Sequence, residues 1–247
     1  MTSVSVKSGR NPAEQESAER RPASRYHSPL RARQAAGTRR AITDAAIALF
    51  GERGWAATTL PIIAGEAGTS VDTIYSAFGT KSDLLMAALD VAIVGDDGEA
   101  AMVDRPDFAL LGAGSRIERL RTGVRFTIGV YERSVPMLKA LREAAASDDT
   151  ARERLAQYDE DRRNVTAAGL ELILGHPAPD DVVDAIWTLV SPEVFTHLTE
   201  GRGWSVARAE AWLVHMSKAA IGYTGSTVAR AGTRSGRELQ SNRRLPR

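Results

Sequence analysis

The chain has 247 residues, 43% of them hydrophobic, and no cysteine. That length supports a small domain joined to a larger one with a real apolar core, and the lack of cysteine excludes disulfides and thiolate metal sites. A net charge of +1 conceals a division: residues 1–40 hold nine Lys/Arg against three Glu, residues 226–247 hold six Arg against one Glu, and the stretch between is strongly acidic.

Residues 1–35 are polar, contain Pro12, Pro22 and Pro29, and show no periodicity, so a disordered basic tail is expected there. Basic residues in such a tail attract phosphate, and Arg-rich, Ser/Pro-rich ends equally serve as solubilising tails. The opening MTSVSVKSGRNP lacks the apolar core of a secretory signal, and no run approaches the roughly 18 uncharged apolar residues of a membrane span. The expectation is a cytoplasmic protein with no membrane partner.

From Thr38 to Gly54, Ile42, Ala45, Ala46, Leu49 and Phe50 share one helical face, and Gly51 and Gly54 end the pattern. Two short helices follow. Leu60, Ile63, Ala64 and Ala67 mark the first, with Thr58 and Thr59 as caps and Pro61 in the first turn. Val71, Ile74, Tyr75 and Phe78 mark the second, capped by Ser70, and Gly68 is placed to take the left-handed conformation between them. The outward residues of the second, Asp72, Thr73, Ser76 and Ala77, are short enough for close approach to a groove. A further helix, Lys81 to Val94, starts at Thr80 or Ser82 and turns Leu84, Leu85, Ala88 and Leu89 inward. By spacing alone, this is a helix-turn-helix or an ordinary hairpin of core helices.

The local sequences decide between them. An RG-aromatic-x-x-TT turn at 53–59, an A-G-x-S turn at 67–70, a T-I-Y-x-x-F helix at 73–78 and an F-x-x-K-x-x-L-L junction at 78–85 together resemble the DNA-binding domain of the TetR family of one-component regulators. The resemblance covers about sixty residues without a gap, and residues 36–94 are assigned to this domain.

Residues 95–115 are rich in Gly and Asp and form a loop with a short helix around Phe108 to Leu111. Gly112-Ala113-Gly114 is half of a dinucleotide fingerprint, but no strand precedes it. Beyond Arg116 the pattern is helical. Ile117, Leu120, Val124, Ile128 and Tyr131 mark one helix, and Pro136 starts or kinks another. Ser147-Asp148-Asp149 cap a third, closed by Gly175. Asp180 or Asp181 begins a fourth, bent at Pro192 and broken at Gly201-Arg202-Gly203; Ser205 starts the last. Residues 95–225 form a helical regulatory and dimerisation domain, and residues 226–247 a second disordered basic tail. No strand pattern occurs, so the fold class is all-α.

The segment from Ala185 to Met216 also resembles, more loosely, the C-terminal helices through which TetR regulators dimerise. The resemblance implies a homodimer through the last two helices, bound to a double-stranded DNA operator. Two-fold pairing sets two recognition helices roughly 34 to 36 Å apart on a palindromic site. It further implies Arg39 or Arg40, Thr59, Tyr75 and Lys81 as phosphate contacts, and Thr69, Ser70, Val71, Asp72, Thr73 and Ser76 facing bases or the sugar-phosphate edge. The recognition helix departs from many relatives in carrying no basic residue. Repression relieved by an unidentified small-molecule effector follows from the family. Large or polar-tipped residues on apolar helices give the candidate ligand contacts: Phe126, Ile128, Tyr131, Met137, Leu170, Trp187 and His197.

No cofactor and no catalysis are expected. The histidines, His27, His176, His197 and His215, form no HExxH, and the chain has no GxSxG elbow or P-loop. The alternative function is a helical ligand-binding or sequestering protein with weak or lost DNA binding.

Overall fold

The computed structural model describes the backbone of residues 29–95 and 100–238, and the side chains within them from Arg31 to Gly222. The expected tails at residues 1–28 and 239–247, with His27, lie outside the described residues. Every regular element among the described residues is helical.

The head comprises α1 (Pro29–Ala57), α2 (Leu60–Glu66), α3 (Val71–Phe78) and α4 (Lys81–Val94). A short α5 (Pro106–Ala109), flanked by 3-10 turns, leads to α6 (Arg116–Ala145) and α7 (Asp149–Leu174). Then come α8 (Asp180–Leu189), α9 (Pro192–Thr196), a π turn at His197–Gly201, and α10 (Val206–Glu238). By contacts, residues up to Ala36 form one unit and Gly37 onward another. The first unit's described residues are the opening two turns of α1.

Several expected boundaries move. Helix α1 begins at Pro29, inside the expected tail, because Pro opens a helix without loss and Leu-Arg-Ala-Arg-Gln-Ala-Ala are good helix formers that lack only an apolar face. Similarly, α10 runs to Glu238, past the expected end at residue 225; once a helix is nucleated each added residue gains a backbone bond. Pro136 neither starts nor ends a helix, since α6 passes through it and forfeits one backbone bond. At Pro192, in contrast, a break separates α8 from α9, and Ser191 caps the new start.

The helix starts are chemically explicit. Ser70 Oγ accepts the Thr73 amide at 3.1 Å, and Gly68 turns the chain with φ 64°. Thr80 and Asp83 form a reciprocal capping box on α4, and Asp148 caps α7 through the Ala151 amide. Thr59 occupies the α2 cap position without a side-chain bond. Thr58 does not cap. It is wholly buried, and its hydroxyl lies 3.0 Å from the Leu49 carbonyl and 2.8 Å from that of Gly54, pinning the end of α1.

Two apolar cores share α6. The first joins Ile42, Phe50, Ile63, Ile74 and Leu85 of the head to Met137, Leu138, Leu141 and Ala144 in the second half of α6, and to Ala151 of α7. The second joins Val124, Ile128 and Tyr131 in the first half of α6 to Leu170, Val183, Ile186, Phe195 and Leu213. The head therefore does not close its own core; α6 completes it.

Polar links reinforce this continuity. The Glu143 carboxylate of α6 accepts the backbone amides of Trp55 and Ala56 at 2.8 and 3.1 Å, where Gly54 bends the chain with φ 76°. Ser82 of α4 donates to Asp148 at the start of α7 at 2.6 Å. Farther down, Arg163 pairs with Asp180 and Asp184, and Arg125 with Glu210, tying α7 to α8 and α6 to α10.

Candidate nucleic-acid interface and ligand cavity

Helix α3 is amphipathic in fact as well as in pattern. Ile74 is wholly buried, Val71 and Phe78 are half-buried against the first core, and Asp72, Tyr75 and Ser76 are exposed. Tyr75 leaves 55% of its surface in solvent, a large fraction for an aromatic ring. The hydroxyls of Ser70 and Thr73 lie 2.8 Å apart on the same open side, with Thr69 half-buried behind them and Thr59 exposed at the start of α2. Of the expected contacts in the helix-turn-helix, Thr59, Ser70, Asp72, Tyr75 and Ser76 are exposed, whereas Thr69 is half-buried and Val71 packs against the core.

The basic candidates are held differently. Arg39 donates to the Ala77 carbonyl at 2.6 Å and lies 4.1 Å over the Phe78 ring, so its cation caps the C-terminal end of α3. Arg40 is exposed and faces Asp44 at 4.0 Å. Lys81 is turned inward. Its ammonium donates to the Trp55 carbonyl at 2.6 Å and lies 3.8 Å over the Trp55 ring, and desolvation lowers its pKa against the opposing pull of Glu143. In the free protein, Arg39 and Lys81 both bind protein carbonyls.

Behind the head lies a cavity of about 680 Å³, within the range of small-molecule sites. Its walls come from α4, α6 and α7, with Ala77 and Phe78 of α3 at one end and Ile186, Val190 and Ser217 contributed by α8, its C-cap and α10. Of the expected ligand contacts, Phe126, Tyr131 and Leu170 line it. Four do not. Met137 is wholly buried in the first core, and Ile128 packs into the second. Trp187 stacks under the Arg162 guanidinium, while His197 is exposed on the π turn. Periodicity identified their apolar faces but could not say which neighbours close over each.

The polar lining was missed from sequence. Asp90, Arg154, Tyr158, Asp161 and Arg162 border the cavity. A signal existed for Asp90, an acid in the otherwise apolar run LLMAALDVAIV. The others sit at helical spacing on α7 and read as a solvated face. Tyr131 donates to the Val190 carbonyl at 2.6 Å, and burial raises its pKa; burial likewise pushes Tyr158 up to about 12. Both phenols stay neutral.

Among the described residues no cluster of His, Asp and Glu has the form of a metal site, and no helix is long and apolar enough to cross a membrane.

The family model for bacterial regulatory proteins of the TetR family matches residues 42–88. Among solved structures the chain is similar to one described as a TetR-family transcriptional regulator from Rhodococcus sp., at 19% identity over 74% of this chain and 98% of that one, with a TM-score of 0.55. It is also similar to a TetR-like transcriptional regulator from Rhodococcus sp. RHA1, at 19% identity over 75% of this chain and 96% of that one, with a TM-score of 0.47. No curated protein matches it. Residues 42–88 thus match the TetR family's DNA-binding domain, and the all-helical chain shares its fold with the first of these structures.

Proposed function

We propose that the protein is a homodimeric repressor that binds a palindromic operator and leaves it when a small molecule occupies the cavity. The observation that carries the DNA half is the exposed face of α3, where Tyr75, Ser76 and Asp72 stand clear of a wholly buried Ile74. In this reading Thr69, Ser70, Val71, Asp72, Thr73 and Ser76 face bases or the groove edge. Arg40, Thr59 and Tyr75 hold phosphates, and Asp72 accepts from a cytosine amino group. Arg39 and Lys81 act first by fixing α3 and α4, and reach phosphate only by exchanging a carbonyl for it.

Pairing uses α8 and α10, whose half-buried Trp187, Trp212, Val214 and Ile221 supply apolar area for a second copy. An effector that fits one separation of the two heads better than the other shifts the population by its differential affinity. Mobility shift of the chain's own upstream DNA over a salt series tests the proposal, with a sequence-preferring, salt-steep complex as the expected result. No complex up to about 1 μM protein favours the second reading, a sequestering protein. That reading draws on the absence of any basic residue on α3.

A further inference from the structure

The cavity lining sets Arg39, Arg154 and Arg162 against Asp83, Asp90 and Asp161, so the sum favours neither sign and placement decides. Arg39 serves the end of α3, and Asp83 accepts the Thr80 amide and hydroxyl in the capping box. Asp90, Arg154 and Asp161 are exposed, where water screens them. Asp90 has Arg154 within electrostatic reach, and Asp161 accepts the Gln157 amide at 2.9 Å. Arg162 differs. Its side chain is only 11% exposed; it donates to the Trp187 carbonyl at 2.7 Å and stacks on that ring, while its Nε is buried without a hydrogen bond. The carboxylate it faces, Asp159, stands 4.0 Å from Nε on a side chain 48% exposed. A carbonyl and a half-hydrated acid are an incomplete shell for a buried guanidinium. One helical turn earlier on α7, Tyr158 lines the same cavity as a neutral phenol whose hydroxyl makes no hydrogen bond among the described residues. From Arg162 the lining follows α7 to Ile173, roughly 16 Å at the helical rise, and turns apolar and aromatic.

We infer that the cavity takes an apolar organic acid, its carboxylate against Arg162 and the Tyr158 hydroxyl and its apolar body among Phe108, Leu111, Phe126 and Leu170. The inference rests on the effector reading above and specifies its chemistry. A carboxylate there supplies both the opposite charge and the acceptors that these two donors lack. An alcohol supplies an acceptor without the charge, and an ammonium supplies neither. Because Ala77 and Phe78 line the same space, its occupant adjoins the end of the recognition helix.

Calorimetric titration of the full chain with dodecanoate, dodecanol and dodecyltrimethylammonium, each below its aggregation limit, tests this. The acid is expected to bind at least about tenfold more tightly than either of the others. Arg162→Gln should lose about tenfold for the acid and much less for the alcohol. Tyr158→Phe keeps the ring and removes the hydroxyl alone, and should weaken the acid about fivefold, so the idea remains testable if Arg162→Gln fails to fold. Equal or tighter binding of the alcohol or the ammonium, no uptake of dodecanoate, or a folded variant of either kind that holds it like wild type overturns the inference. Operator binding is measured separately on ligand-free protein. Acid preference without operator binding overturns the regulator reading alone, and operator binding without acid preference overturns this inference alone.

Discussion

Tyr75 and Thr58 behave oppositely although both are hydroxyl-bearing residues of the helix-turn-helix. Tyr75 is largely in solvent and makes no contact on which the head depends, so Tyr75→Ala should abolish operator binding while sedimentation still reports the dimer and the melting temperature hardly moves. Unchanged affinity would remove it from the interface. Thr58 is wholly buried, and its single hydroxyl proton lies between two carbonyls at the end of α1. Thr58→Val keeps the shape and removes that donor, so urea unfolding should show a loss of about 1–3 kcal/mol. The sequence reading made Thr58 a helix cap and set Tyr75 both in the apolar repeat of the second helix and among the phosphate contacts. Exposure separates them, and exposure depends on which strand of chain folds over which, a matter outside local pattern. The same limit explains Lys81, whose position in the F-x-x-K junction is legible but whose inward turn onto Trp55 is not.

At the scale of elements, the caps carry a pH dependence. Asp148 has its pKa lowered first by the Ser82 hydroxyl and then by the Ala151 amide; Asp83 has its pKa lowered first by the Thr80 side chain and then by the Thr80 backbone. Folded values below the unfolded ones mean that both carboxylates stabilise the fold above the ordinary aspartate range and lose that contribution as pH falls through it. The melting temperature should therefore drop as pH falls below about 4, and Asp148→Asn should flatten the drop. A wild-type slope in the variant would show that the α4 to α7 link contributes nothing. Most of these helices were legible, because capping residues and 3.6-residue periodicity are local properties. The exceptions were helix without an apolar face, as at 29–37, and proline inside a helix, as at 136, where the outcome depends on packing beyond the window.

For the whole molecule, the shared use of α6 matters more than any domain boundary. One half of that helix completes the core of the head and the other half completes the core of the body. Local unfolding of the head alone would expose Leu138 and Leu141, so heating should give one cooperative transition across residues 37–222 in calorimetry, and two separated transitions would contradict the shared core. The sequence reading placed a border near residue 94 because composition changes there; it had no means of seeing that Met137 answers to Phe50. Glu143→Ala should show the same continuity functionally. Removing the carboxylate that holds the Trp55 and Ala56 amides should weaken operator binding several-fold with the dimer retained, as read by mobility shift.

Gly51 and Gly54 lie almost against α6. A β-carbon at Gly51 would sit 3.3 Å from that of Pro136, and one at Gly54 would sit 2.7 Å from the Glu143 carboxylate. Both near-collisions fall on one edge of the head, whereas the cavity reaches it at Arg39, Ala77 and Phe78. The absence of a side chain at these two positions is what lets the end of α1 approach α6 this closely.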